Sequence, residues 1–115
     1  MRPETALQRL LRGHLAGKGY RTVAVPNGAV LRGDGRERAI QMANLKRDGL
    51  CVGFPDLIVF ADAGRIGFIE VKCEGEKLRD TQVECEQWLT ACGQKVAVCR
   101  STADVNETLE KWGWQ

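Results

Sequence analysis

PDLIVFADAGRIGFIEVK, residues 55–72, contains two short apolar runs on either side of a glycine-containing connection. The runs DLIVF and RIGFIEVK are rich in β-branched and aromatic side chains, and the four residues between them have the length of a hairpin loop. The pattern therefore predicts an antiparallel β-hairpin. If residues 62–64 form its loop, Asp56 lies directly opposite Glu70.

Two carboxylates and an ammonium group are predicted to share one face of this hairpin. Side chains directly opposite one another in an antiparallel pair have Cβ atoms about 4.5–5.5 Å apart, and alternate residues of a strand share a face. Asp56, Glu70 and Lys72 would therefore lie close together. Since facing like charges destabilise a hairpin, the carboxylates need a cation, and a divalent metal ion is the obvious candidate.

This arrangement resembles the Pro-Asp…Glu-Xaa-Lys active site of the restriction-endonuclease-like, or PD-(D/E)XK, nuclease superfamily. The residues around it are similar to those of the VRR-NUC (virus-type replication-repair nuclease) family, from residue 4 to about residue 100. The resemblance is carried by Glu4, Leu45-Lys46 before Gly49, Gly53-Phe54-Pro55-Asp56-Leu57, Ile69-Glu70-Val71-Lys72, and Gln82 at the start of the next helix. The chain departs from the family at residues 79–81, where members often place a serine before the helix that bears the glutamine.

The resemblance implies a metal-dependent DNA endonuclease with Mg²⁺ or Mn²⁺ as its cofactor. Its metal ligands would be Asp56, Glu70, the backbone carbonyl of Val71 and, as a third carboxylate, Glu4. Lys72 would stabilise charge on the phosphoryl group or orient the attacking water, two roles that the sequence does not separate. This chain resembles in length the small members encoded by phages or prophages, whose relatives include nucleases acting on branched DNA such as four-way (Holliday) junctions. That resemblance implies a homodimer.

Two of these residues also have structural explanations. Glu4 lies on the apolar stripe of a predicted helix, where it would interact favourably with the helix N-terminus. Gln82, in the first turn of a later helix, is either a capping group or a site residue that orients water or phosphate. The resemblance favours the functional role for both.

The charge is unevenly distributed. Residues 1–50 carry ten Lys/Arg and four Asp/Glu, a balance of +6, whereas residues 51–115 carry seven against eleven, a balance of −4. A basic half beside an acidic half that holds the metal site is typical of an enzyme acting on a polyanion. The candidate phosphate-contacting residues are Arg32, Arg36, Arg38, Lys46 and Arg47, with an exposed basic helix face as the alternative explanation.

Alternative functions stay open at this level. Another nuclease of the same superfamily would act on flaps, nicks or duplex DNA. A non-catalytic nucleic-acid-binding protein would use the basic half alone.

The composition is that of an ordinary globular domain. A chain of 115 residues with 43% apolar and 28% charged residues predicts one domain spanning residues 1–115. No apolar run approaches the roughly 20 residues that span a bilayer, and the N-terminus lacks the apolar segment of a secretory signal. We therefore expect a cytoplasmic protein without a membrane partner, located in the bacterial host cell if it is phage-encoded.

Neither the cysteines nor the histidine favours a different chemistry. Five cysteines without a Cys-Xaa-Xaa-Cys pair predict small buried hydrophobic residues rather than a disulfide framework or a zinc site. A single histidine, His14, makes a His-based zinc site or a catalytic triad a poor explanation.

The remaining pattern predicts an α/β fold in which a mixed central β-sheet is flanked by helices, the restriction-endonuclease-like core. Trp88 and Cys92 are expected on the buried side of the third helix. The predicted helices are 3–17, 36–47, 80–92 and one that begins at Ser101 or Thr102; besides the hairpin, the predicted strands are 20–25, 29–32 and 95–99.

Overall fold

In the computed structural model, which describes residues 1–26 and 31–114, four helices and four strands are formed within these ranges. Most lie within two residues of their predicted bounds. In chain order they are α1 (Pro3–Gly17), β1 (Arg21–Ala24), α2 (Gly35–Arg47), β2 (Leu57–Phe60), β3 (Ile66–Val71), α3 (Asp80–Ala91), β4 (Lys95–Cys99) and α4 (Thr102–Lys111).

The predicted strand 29–32 is the exception. Residues 29 and 30, like residues 27 and 28 of the predicted turn, lie outside the described part of the chain. Leu31 and Arg32 are described and belong to no strand.

The strands form one mixed sheet in the order β1-β2-β3-β4. β1 pairs with β2 and β2 with β3 in antiparallel fashion, whereas β4 runs parallel to β3. A parallel neighbour requires a crossover connection, and α3 provides it between β3 and β4. The prediction of a mixed sheet flanked by helices is confirmed.

The hairpin has the register that the sequence predicts. Leu57 pairs with Ile69 and Phe60 with Ile66, and the loop closes with the Ala61 N–H donating to the Arg65 carbonyl at 2.9 Å. Continuing this register by one residue beyond the Leu57–Ile69 pair places Asp56 opposite Glu70.

One face of the sheet forms the main core. Leu57 and Val59 of β2 and Ile69 and Val71 of β3 are completely buried there. They pack with residues of α1 and α4, namely Leu11, Leu15, Val105 and Leu109. Since side chains alternate along a strand, the residues between them point to the opposite face.

Helix α3 contributes Gln82, Cys85 and Leu89 as its buried residues. The prediction that Trp88 is a core residue is wrong, because 44% of its surface is exposed. At 3.6 residues per turn it lies roughly 90° around the helix from the buried line, where its ring meets that of Phe54 at a centroid distance of 6.3 Å.

The cysteines follow their prediction in part. All five are free; Cys85 and Cys99 are buried, Cys51 and Cys73 are half-buried. Cys92 is exposed, because it follows the last residue of α3 rather than lying on the inward face as predicted.

Helix α2 depends on local signals more than on packing. None of its residues is buried, and within the described ranges it lies against no other helix or strand. Its start is stabilised by a capping box, in which Asp34 accepts from the Glu37 N–H at 2.8 Å and Glu37 accepts from the Asp34 N–H at 3.3 Å.

Replacing Gly67 by alanine should destabilise the fold. A Cβ atom at this position of β3 would overlap the ring of Trp112, so the ring would have to move. We expect urea denaturation to show a loss of about 1–3 kcal/mol in the free energy of unfolding.

Gly17→Ala is the matched control, because a Cβ atom there meets no heavy atom within 4 Å. This variant should be unchanged or more stable by up to about 1 kcal/mol. Equal stability of Gly67→Ala and the parent would mean that Trp112 does not pack on β3.

Candidate active site

Asp56 and Glu70 meet on the sheet face opposite the main core. The Asp56 Oδ2 atom accepts a hydrogen bond from the Val71 N–H at 2.8 Å, which holds the carboxyl group beside β3. Glu70 is only 4% exposed, and Asp56 is close enough to raise the pKa of its carboxyl group. Two carboxyl groups in such contact cannot both be ionised cheaply without a cation.

The electrostatics of Glu70 follow from this contact. Burial raises the pKa of its carboxyl group from 4.5 to about 9, and the hydrogen bond and negative charge of Asp56 act in the same direction. The charge of Glu4 raises the pKa as well, whereas the positive charge of Lys72 lowers it. In the absence of a metal ion, Glu70 therefore keeps its proton at neutral pH.

Gln82 contacts the carboxylate pair directly. Its Oε1 atom accepts from the Arg79 N–H at 2.8 Å, which leaves its amide NH₂ to donate to the Glu70 Oε1 atom at 3.2 Å. Gln82 is 6% exposed, so both ends of the amide are used in the interior. The structure thus combines the capping and site roles that the sequence left open; its contact with water or phosphate stays a prediction.

Lys72 lies on the same side of the chain as Glu70, two residues further on. It is 5% exposed, and its N–H donates to the Cys99 carbonyl at 3.2 Å, which ties it to β4. Within residues 1–26 and 31–114 its ammonium group forms no ion pair at 4.0 Å or less. Its electrostatic partner in the site is Glu70, whose pKa its charge lowers.

Glu4 reaches the site from α1. It lines, together with Asp56, a cleft of about 540 Å³ that we call the site cleft, and Arg2, Gln8 and Arg79 line it too. In the described residues no three Asp, Glu, His or Cys side chains are close enough to hold a metal ion. The role of Glu4 as a ligand, like that of the Val71 carbonyl, therefore stays a prediction.

Three polar or charged residues of the site cleft were not found by sequence reasoning. Arg2 directly precedes α1 and Gln8 lies on it, and the helical spacing from Glu4 to Gln8 was a signal that could have indicated at least Gln8. Arg79 directly precedes α3, and its position beside Asp56 depends on the tertiary fold alone.

Gly53 allows the loop before Asp56 to touch the start of α3. It has φ +87°, and a Cβ atom there would overlap the backbone of Thr81 and come within 2.7 Å of the Gln82 nitrogen. Only a glycine combines this conformation with such a close approach. The loop that carries Asp56 and the helix that carries Gln82 are thereby packed backbone against backbone.

The predicted phosphate-contacting residues are separate from this site. All are exposed and lie on or beside α2, and none lines the site cleft; they are Arg32, Arg36, Arg38, Lys46 and Arg47. Their contact with DNA stays a prediction.

The donor set suits a hard divalent cation. Asp56 and Glu70 place two carboxyl groups close together. The raised pKa of Glu70 shows that a positive charge at this position would be favourable. Mg²⁺ and Mn²⁺ prefer such oxygen ligands.

The sheet order, the flanking helices and the carboxyl pair on β2–β3 define an α/β protein with a restriction-endonuclease-like core. The chain matches the model of the VRR-NUC domain over residues 3–103. It belongs to the VRR-NUC family, a family of nuclease domains.

Solved structures support the fold. One described as a VRR_NUC domain superimposes with a TM-score of 0.64 at 23% identity, covering 95% of this chain and 96% of the other. A second, a VRR_NUC domain protein, has a TM-score of 0.64 at 21% identity over 97% of this chain and 88% of its own. No curated protein matches the chain. None of the helices in the described ranges has both the length and the apolar composition needed to cross a bilayer.

The pKa of Glu70 predicts a pH-dependent stability in metal-free buffer. Between its ordinary value of 4.5 and about 9, the folded chain holds a proton that the unfolded chain has lost. The free energy of unfolding should therefore decrease as the pH rises through this window, by at most about 1.4 kcal/mol per pH unit from this one group.

Thermal unfolding in EDTA from pH 5 to pH 9 would measure this dependence. Glu70→Gln is the control, because its amide does not titrate, so its curve should be flatter than that of the parent. Parallel curves for the two proteins would contradict the raised pKa.

Proposed function

We propose that this protein is a Mg²⁺- or Mn²⁺-dependent DNA endonuclease that hydrolyses phosphodiester bonds in branched DNA, such as four-way junctions, as a homodimer. The observation that carries the proposal is the buried carboxyl pair of Asp56 and Glu70 beside the nearly buried Lys72. Membership of a nuclease family supports the reaction class. The preference for branched DNA and the dimer rest on the resemblance to small family members.

The carboxyl pair supplies what the metal requires. Asp56 and Glu70 would hold the ion, with Glu4 and the Val71 carbonyl as further ligands. When bound, Mg²⁺ or Mn²⁺ supplies Lewis acidity, lowers the pKa of water and neutralises charge on the phosphoryl oxygens. Displacing the proton of Glu70 restores the carboxylate that a hard cation needs.

The protein side chains then have distinct tasks. The Val71 N–H holds the Asp56 carboxylate, and the Gln82 amide holds that of Glu70, so neither ligand has to be ordered when the ion binds. Lys72 forms no ion pair at 4.0 Å or less among the described residues, and its ammonium group would stabilise the negative charge that develops on the phosphoryl group.

The surroundings of the site suit a polyanion. Arg2 and Arg79 line the site cleft together with Glu4 and Asp56, where their guanidinium groups would contact the phosphates next to the cleaved bond. A four-way junction has two equivalent strands to cut, and two sites related by a twofold axis would cut them symmetrically.

Cleavage of a labelled four-way junction tests the reaction. We expect the parent chain to cut in Mg²⁺ and not in EDTA. Glu70→Gln keeps the shape of the side chain but removes a charged ligand, and the cleavage rate should fall by about 10²-fold or more.

Glu84→Gln is the matched control, because Glu84 is an exposed residue of α3 that lies outside the site cleft. Its rate should equal that of the parent, and both variants should be folded by circular dichroism. Cleavage by Glu70→Gln at the parental rate would refute the assignment.

A panel of substrates tests the preference for branched DNA. Junctions, flaps, nicked duplexes and linear duplexes of related sequence should be compared by rate at equal protein concentration, and we expect the junction to be cut fastest, at symmetric positions in opposing arms. If a flap or a linear duplex is cut faster than the junction, the proposed preference for branched DNA is wrong and the faster substrate is the preferred one. Sedimentation equilibrium should give a mass of twice 12.7 kDa.

Titration with Mn²⁺ separates a nuclease from a protein that only binds nucleic acid. Calorimetry should detect Mn²⁺ binding to the parent chain and much weaker binding to Asp56→Asn. Absence of binding to the parent, with and without DNA, would favour the non-catalytic alternative.

A further inference from the structure

A second cleft, of about 550 Å³, lies between α1 and the beginning of β1. Arg9 and Arg12 line it from the helix and Arg21 from the strand, with Thr22 and Tyr20 between them. We call it the arginine cleft. None of the described residues that line it is acidic, and it does not include any residue of the site cleft.

The arginines are not neutralised within the protein. In residues 1–26 and 31–114, neither Arg9, Arg12 nor Arg21 forms an ion pair at 4.0 Å or less. Three guanidinium groups around one cleft repel each other, since arginine stays charged at all physiological pH values. The arrangement is thus favourable only when an anion enters the cleft or water screens the charges.

Arg12 is held in place for such an anion. Its Nε atom donates to the Thr22 Oγ1 atom at 2.9 Å, and one terminal nitrogen approaches the Thr22 carbonyl at 3.5 Å. A guanidinium group has five N–H donors, so three remain after these contacts. Because the side chain is already ordered by β1, less rotamer entropy is lost when it binds an oxyanion.

The arginine cleft follows the site cleft along α1. Helix α1 carries Glu4 and Gln8 in the site cleft and then Arg9 and Arg12 in the arginine cleft. Eight residues of helix separate Glu4 from Arg12, a distance of about 12 Å at 1.5 Å per residue.

Strand β1 gives a similar distance. Ala24 lines the site cleft and Arg21 the arginine cleft, and three residues of strand correspond to about 10 Å. Successive nucleotides of one strand advance about 3.4 Å along a duplex. The clefts adjoin at Gln8 and Arg9, and Glu4 and Arg12 are about three nucleotides apart.

We infer that the arginine cleft binds the phosphodiester backbone of the DNA substrate, about three nucleotides from the bond that is cleaved. Its ligands are phosphate oxygens, which guanidinium groups recognise by charge-assisted hydrogen bonds. Contacts of this kind fix position and orientation and do not read base sequence. The inference rests on the proposed function for the position of the cut, whereas the binding itself does not require cleavage.

The arginine cleft is distinct from the basic cluster on α2. Arg32, Arg36 and their neighbours belong to a helix that packs on no other element of the described chain, whereas α1 and β1 are part of the packed fold. Phosphate contacts at the arginine cleft would therefore have a rigid relation to Asp56 and Glu70.

Salt-dependent DNA binding tests the inference. Fluorescence anisotropy in EDTA, where no cleavage occurs, should be measured for a labelled four-way junction and for a linear duplex at several salt concentrations. Each phosphate contact contributes about 0.9 to the slope of log K against log salt. Arg9→Gln combined with Arg21→Gln should weaken binding and make the slope shallower by about 2.

The matched control removes two positive charges elsewhere. Lys95 and Lys111 are exposed and line neither cleft, so Lys95→Gln combined with Lys111→Gln has the same net charge as the arginine double variant. Its slope should stay near that of the parent. An equal loss in both double variants, or no loss in the arginine variant, would overturn the inference.

The outcomes for the two proposals are separable. If the parent cuts DNA and the arginine double variant binds with the parental slope, the inference fails and the nuclease proposal stands. A different outcome is that the parent cuts none of the DNA substrates while the arginine double variant, and not the lysine double variant, binds DNA more weakly. In that case the arginine cleft is a DNA-binding site and the nuclease proposal fails. Circular dichroism confirms that each variant is folded.

Discussion

The register of the β2–β3 hairpin is the constraint from which the rest of the site follows. Leu57, Val59, Ile69 and Val71 are completely buried against α1 and α4, and a slip of one residue would move this apolar set to the other face of the sheet. The same alternation directs Glu70 to the opposite face, beside Asp56. The free-energy cost of shifting the strand register by one residue therefore also keeps the two carboxyl groups close together.

The proximity of the two carboxyl groups is electrostatically unfavourable by itself. Hydrogen bonds from neighbouring groups reduce this free-energy cost but do not remove it. The Val71 N–H and the Gln82 amide each donate one hydrogen bond to the pair. Burial nevertheless raises the pKa of Glu70 to about 9, so the metal-free pair holds a proton. Strain of this kind is typical of sites built for a ligand, because the same arrangement becomes favourable once a cation replaces the proton.

The predictions succeeded where local pattern and burial agree. The hairpin register follows from a glycine-containing loop and two β-branched runs, and α1 and β4 were placed to the residue because their apolar periodicity is clear. Gln82 was indicated by its position on the inward line of α3, three residues before Cys85. Trp88 was placed wrongly because an apolar residue at near-helical spacing need not face the core when Phe54 offers a partner at the surface.

Other parts of the site lie beyond local pattern. Arg79 lines the site cleft because the end of one loop is packed near Asp56, and the close approach of Gly53 to the start of α3 joins residues far apart along the chain. The arginine cleft combines Arg9 and Arg12 of α1 with Arg21 of β1, residues that look like ordinary surface charges in the sequence. Their pairing depends on the antiparallel packing of α1 along β1.

By itself, the sequence determined the hairpin, its register and the identity of the residues that share the face of the candidate site, because alternation along strands and the length of the loop are local properties. The tertiary structure alone decided the burial of Glu70, the hydrogen bond from Gln82 to its carboxyl group, the site cleft and the arginine cleft. The physical reason is that desolvation and charge proximity depend on which distant segments come together, and the sum of local preferences does not contain that information.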